Sequence, residues 1–580
     1  MKRLFKKISR LPTALRGRSE GDRLAQPGGV GSDFRESETL DEVIRREEKA
    51  LRPAIEASLD AKLLRLSVVY KPVKTYSIED PWARVIILQH KDTGEYLYYV
   101  NEVEMNKVEQ DTYNRIMEIL NWELRHPTEE ELKTIPGATL AEKEREFLIR
   151  QIKRIVNIYR IKMASEVEEI SWSKILYYMI RNNVGYGPID VLMKDEYLED
   201  ISCDGVGRPV YVWHQEYESI KSNIVFEDER QLDHMILLLA HRAGKHISVA
   251  FPVLDAVLPE GHRVAATFRR EVSTQGSTFT IRKFKATPLS IVDLIIGGTI
   301  SPDIAAYLWL MAEYRMPGII MGVTGSGKTT TLNAIATLLR PNVKIVTIED
   351  TPEIKLPHEN WVQLVSRPSF SVTGESRGEI SLYDLVRVSL RYRPDVIIVG
   401  EVRGEEAYVL FQALATGHGG LTTIHSETIE AMIRRLTSPP MNIPEGYIPL
   451  VKFALAVKRV RLPDPASPEG HRIARKVTDV WEITGPSSED AIEVARWNPF
   501  TKEHEHFMEK SVAIAEIGKL VGLTKDEVLA EIERRKLVLL WMAKSGIRRY
   551  REVAPIIFKY YYSPDDVYER AAKELKTELI

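Results

Sequence analysis

The stretch GVTGSGKTTTLNAIATLL, residues 322–339, constrains the fold more than any other. It has the spacing G-x-x-x-x-G-K-[ST], whose glycines let successive main-chain N–H groups turn inward around a phosphate chain. Lys328 is placed to reach β and γ phosphates, and the Thr329 hydroxyl to ligate Mg²⁺. Gly322, Thr324, Gly325, Ser326, Gly327 and Thr330 complete the predicted cradle for ATP. GIIMG ahead of the loop reads as a buried strand. TTTLNAIATLLR behind it reads as a helix stopped by Pro341, with its N-terminal dipole aimed at the same charge.

Further apolar strands alternate with helices downstream: KIVTIED, VIIVGE and GLTTIH. That rhythm predicts an α/β fold with a mostly parallel sheet, covered on both faces. Ligands of such sheets sit beyond the carboxyl ends of the strands. KIVTIEDTPEIKLP delivers Glu349, Asp350 and Glu353 there, and a carboxylate at that edge can orient or deprotonate water. Which of the three does so is open from the residues alone. DVIIVGE ends on Gly400 and a single acid, Glu401. The glycine keeps the backbone small where a ligand passes. One carboxylate is enough for Mg²⁺, which retains several waters, provided a second strand supplies another acid; Glu349 is the candidate. TGHGGLTTIHSET carries His418 and His425. Two readings stand: core or turn histidines, or a histidine beyond the strand end that bonds the γ phosphate and senses its loss, for which His425 is the candidate.

Composition narrows the classes. The 580 residues are too many for one core. One cysteine, Cys203, excludes an internal disulfide and a four-cysteine zinc module, and is expected to be a core residue. A net charge of −3 speaks against polyanion binding by the whole chain. No nucleic acid is therefore expected, although a nucleic-acid translocase or packaging ATPase is the alternative reading of such a core. No apolar run approaches the ~18 residues of a membrane span. MKRLFKKISRLPTALRGR interleaves basic and apolar residues at helical spacing, which suits either a solvated tail or a helix on an anionic membrane surface.

Composition shifts divide the chain as follows: a basic flexible tail at 1–40, a docking module at 41–140, an α+β domain at 141–285, a hinge linker at 286–305, the phosphate-loop domain at 306–500, and a helical region at 501–580. In the docking module, ARVIILQHKDTGEYLYYV predicts two strands around an Asp-Thr-Gly turn.

Together, the loop, the acid-bearing IED segment, the strand ending in Gly-Glu and the His segment Thr416–His425 resemble the type II/type IV secretion ATPase family. The likeness extends upstream through GYGPIDVLMKDEYLEDI, DAVLPEGHRVAA and STFTIRKF. The resemblance implies a RecA-like ATPase domain preceded by an α+β N-terminal domain, in a cytoplasmic homo-hexamer peripheral to the inner face of the cell membrane. It implies ATP hydrolysis with Mg²⁺, and an integral-membrane platform protein as partner in filament assembly, retraction or secretion. It also implies that Arg263, in PEGHR, and Arg282, in TIRKF, approach the nucleotide. Arg387, Arg391, Arg393 and Arg403 are further basic candidates. TIEDTPEIKLPHENWVQL and the helical tail look like archaeal pilus or archaellum members.

Overall fold

The computed structural model describes residues 40–123, 127–135, 140–161, 171–284, 287–367, 378–464 and 470–577. The basic N-terminal segment lies outside them. The chain forms two compact units, the first ending at Lys283 and the second beginning at Phe284.

The first unit is built on one nine-stranded sheet. Its strands are β1 (Tyr70–Glu79), β2 (Ala83–His90), β3 (Tyr96–Glu102), β4 (Leu198–Cys203), β5 (Pro209–His214), β6 (Glu218–Val225), β7 (Val253–Val257), β8 (Arg263–Thr267) and β9 (Thr278–Arg282). They lie in the order β1-β2-β3-β6-β5-β4-β9-β8-β7. Period-2 alternation makes these strands: β8 and β9 each bury every second residue, among them Val264, Phe279 and Ile281. The expected hairpin around Asp92-Thr93-Gly94 is the β2–β3 pair.

The strands of stretch 41–140 and those of stretch 141–285 share this sheet. They meet at the parallel pair β3–β6, where Leu97 faces Lys221 and Tyr98 faces Ser222. The joint is sealed by side chains. Asn223 accepts from Val100 N–H (2.7 Å) and donates to its carbonyl (3.0 Å). The buried Asp195 carboxylate accepts from the Tyr76 hydroxyl (2.7 Å) on β1 and from the Tyr98 hydroxyl on β3. Cys203 is a buried core residue, and burial pushes its thiol up to about 11.

The second unit has the sheet order β12-β11-β13-β14-β10-β15-β16-β17-β18. The strands are β10 (Gly318–Met321), β11 (Ile345–Glu349), β12 (Trp361–Val365), β13 (Val396–Val399), β14 (Gly419–Ile424), β15 (Phe453–Pro463), β16 (His471–Ile483), β17 (Ala491–Asn498) and β18 (Glu503–His506). The strands from β12 through β15 pair in parallel, and β15 through β18 pair antiparallel. Every residue of β10, β11, β13 and β14 is buried. That is why these segments read as unbroken apolar runs, and two separate cores lie against the sheet. Most of stretch 286–305, assigned to a hinge by sequence, is built into one of them through Ile291, Val292, Leu294, Ile300 and Ile304.

The C-terminal helices Val512–Val521, Lys525–Lys544, Tyr550–Tyr562 and Pro564–Thr577 belong to this unit. Arg535, only 4% exposed, pairs with Glu313 and with Glu531 (3.0 Å), and stacks over Trp309 and Tyr560. The Trp309 indole donates to the Tyr561 hydroxyl (2.9 Å), which donates to the Leu338 carbonyl behind the phosphate-loop helix. Among the described residues no helix is long and apolar enough to cross a membrane.

Candidate functional site

Parallel strands deliver their carboxyl ends to one edge, and the predicted residues gather there. β10 runs into the loop 322–327, and the helix Lys328–Ala336 follows. Gly327 caps that helix at φ +102°, a left-handed conformation that favours glycine and frees the next amides to point at an anion. Ser326 is fully buried and its hydroxyl lacks a hydrogen-bond partner. The Lys328 ammonium donates to the Val323 carbonyl (3.0 Å) within the loop. Burial lowers its pKa, and Glu401 and Glu353 pull the other way. Thr329 and Thr330, half-buried, open the helix beside it.

Glu401 follows β13 and meets the loop through His425, which follows β14. The His425 Nε2 lies 3.5 Å from the Glu401 Oε1 and 3.3 Å from the Thr324 hydroxyl. Arg403 pairs with the other oxygen of Glu401, and the Glu406 carboxylate accepts from the Arg403 and Gly404 amides (2.6 and 2.7 Å) to hold that turn. Burial, then the nearby Lys328 ammonium, lowers the His425 pKa, so the ring is neutral at pH 7.

Glu401 Oε1 is buried and accepts no hydrogen bond. An orphaned carboxylate oxygen near a loop with a free buried hydroxyl fits Mg²⁺ held by one acid, one threonine and phosphate. No cluster of three or more His, Cys, Asp or Glu able to cage a metal occurs among the described residues.

Glu349 sits differently. It is 3% exposed; its Oε1 accepts from the Glu353 and Ile354 amides (2.9 Å each), and its Oε2 accepts from the Gln363 amide (3.1 Å). Burial pushes its carboxyl up to about 7. It therefore shapes the turn that carries Glu353. Gly400 makes this possible: a Cβ there would stand 3.1 Å from Glu349 Cγ. Asp350 accepts from the Ser366 hydroxyl (2.7 Å).

Other candidates lie elsewhere. His418 precedes β14, so it is at the opposite edge, roughly 20 Å from His425 by strand rise; its Nδ1 is 3.0 Å from the Ala413 carbonyl. Arg387, Arg391 and Arg393 precede β13 at that same far edge, and are exposed. In the first unit, Arg263 and Arg282 face each other in register across β8–β9. Arg263 pairs with Asp255 (2.9 Å) and Arg282 with Asp200 (3.2 Å).

Sequence reasoning missed Arg475. Its Nε donates to the Gly325 carbonyl (3.1 Å), and across the β15–β16 ladder it faces Arg459, whose guanidinium also lies near Gly325. The available signal was the basic alternation in VKRVRLP and HRIARKV.

Residues 183–466 match the family model "Type II/IV secretion system protein". The protein MJ0900 of Methanocaldococcus jannaschii is 36% identical over 409 residues, covering 69% of this chain and 71% of that one. The type IV secretion system protein VirB11 of Bartonella henselae is 27% identical over 285 residues, covering 43% and 78%. The solved structure of the Legionella pneumophila ATPase DotB is 19% identical, covers 65% of this chain and 92% of its own, and has a TM-score of 0.38. With the loop, the acids and the histidine assembled on one sheet edge, the chain belongs to the type II/type IV secretion system ATPase family.

Proposed function

We propose that the protein is a hexameric motor that hydrolyses ATP at the edge formed by β10, β11, β13 and β14. It drives assembly or retraction of a type IV pilus-like filament, or a type II-like secretion step, by acting on a membrane platform protein at the inner face of the cell membrane. The observation that carries this reading is the convergence of Lys328, Glu401, His425 and Thr324 on one edge.

Each group has a task there. The loop amides and Lys328 bind the phosphates; Lys328 exchanges the Val323 carbonyl for phosphate oxygens, whose negative charge adds Coulomb attraction to the hydrogen bond. Mg²⁺, held by Thr329 and Glu401, would neutralise charge on the phosphates. His425, neutral and already within reach of Thr324, reports the departure of the γ phosphate. Glu349 acts through position: it sets the turn of Glu353, whose charge reaches Lys328. Arg263 and Arg282, side by side on one strand pair, supply positive charge to the transition state.

The test is Lys328→Ala, with phosphate release and binding of a fluorescent ADP analogue measured on the full chain. Turnover should fall at least ~100-fold, because the residue touches the transferred group. Hydrolysis at the wild-type rate by this variant would falsify the assignment.

A further inference from the structure

Three consecutive residues of β16 join the phosphate loop to the first elements of the second unit. β15 runs parallel to β10, with Ala456 opposite Met321, so residues 457–463 continue past the end of β10. β16 pairs with that overhang, bringing Arg475 opposite Arg459 and Val477 opposite Val457. Neighbouring side chains of a strand point to opposite faces. Arg475 accordingly meets the loop: its Nε donates to the Gly325 carbonyl at 3.1 Å, and its Cδ lies 3.3 Å from where a Cβ on Gly327 would stand. Lys476 points the other way and donates to the Gly298 carbonyl. Val477 N–H donates to the Thr299 carbonyl at 2.8 Å.

Gly298 and Thr299 form the turn after the helix Ile291–Ile296. Gly298 has φ +62°, and a Cβ there would stand 3.0 Å from the Lys476 ammonium. Ile291, Val292 and Leu294 fix that helix in the core of the unit. The turn therefore has one anchor in the core and another on β16.

We propose that Arg475, Lys476 and Val477 form a positioning strap that passes the occupancy of the phosphate loop to the Gly298–Thr299 turn. This inference rests on the loop binding a nucleotide. A guanidinium that donates to a neutral carbonyl is drawn toward phosphate oxygens when these arrive, since two opposite charges add direct Coulomb attraction to the hydrogen bond. The Arg475 stem lies against Gly327, so its guanidinium and the loop shift together. Lys476 and Val477 are fixed to the same strand backbone and carry the shift to Gly298 and Thr299. Lys476 and Val477 touch neither the reacting atoms nor the acids; they act through the strand and the turn.

Hydrogen exchange on the full chain tests the strap, with and without saturating ADP or a non-hydrolysable ATP analogue. Two peptides are read, one across residues 322–331 and one across 287–304. In the wild type, nucleotide should slow exchange in both, by about fivefold or more. In Lys476→Met the loop peptide should keep its protection, while the response of the second peptide falls by at least half. Lys476→Arg should restore it. Arg475→Gln, tested at saturating nucleotide, should likewise protect the loop and lose the second response, which keeps the test open should one variant fail to fold. A full response at 287–304 in either loss variant overturns the strap, as does a wild type whose loop responds alone. A wild-type loop that no nucleotide protects overturns the nucleotide reading itself, a separate result.

Discussion

Replacing Glu349 by glutamine tests whether this acid is a buried fastener. Its carboxyl is 3% exposed, and burial pushes it up to about 7 from an ordinary 4.5, even against three hydrogen bonds that favour the charged form. An acid whose folded-state pKa is raised binds its proton more tightly when folded. Stability is then highest below the unfolded value and declines as pH climbs towards the folded one. The interval from 4.5 to about 7 corresponds to about 3 kcal/mol lost by pH 8. Glutamine has no charge to bury, and its carbonyl still accepts from the Glu353 and Ile354 amides. Gln363 can turn its own oxygen toward the new NH₂. The assay is urea titration at pH 5 and pH 8, read by hydrogen exchange in peptides across β11 and β13. From pH 5 to pH 8 the wild type should lose about 2.5 kcal/mol more than Glu349→Gln, the remainder being lost already below pH 5. Identical pH dependence in the two proteins would refute the assignment of a strained, buried charge to this position.

Gly400→Ala should cost about 1–2 kcal/mol by overpacking against Glu349 and should lower turnover, read by thermal melting and phosphate release. Arg535→Met should cost about 3 kcal/mol in urea unfolding. That is the lower end for a broken buried pair, because Arg340 stays on the other oxygen of Glu313 at 2.6 Å. Adding Glu313→Gln should recover part of it. Arg263→Ala should reduce kcat on the order of a thousandfold while ADP affinity, measured by fluorescent-analogue titration, changes little. Equal losses in affinity and kcat would assign Arg263 to ground-state binding instead.

The second unit was legible because its signals are local. A glycine loop between an apolar strand and a helix, and acids or a histidine just past other apolar runs, need only the rule that parallel strands end at one edge. What depends on partners distant in the chain was not legible. Gly400 reads as room for a ligand, yet the space is filled by Glu349, fifty-one positions earlier in the chain. His418 and His425 look alike in sequence, and only the strand between them sends them to opposite edges. Arg475 was hidden because a basic strand normally indicates a solvated face, and nothing local says that β15 overshoots β10. The shared sheet of the first unit turns on two residue pairs between β3 and β6, with an intervening stretch of more than a hundred residues. Hydrophobic periodicity does not record such a junction.

The bolt from Arg535 and Tyr561 to Glu313, Trp309 and Leu338 has a consequence for synthesis. The phosphate-loop helix is backed by side chains that the ribosome delivers some two hundred residues later. The first unit can condense while translation proceeds. The core of the nucleotide-handling half stays open until its C-terminal helices emerge. A message that stops before Tyr561 would yield a fragment with a complete phosphate-loop sequence and an unfinished core around it.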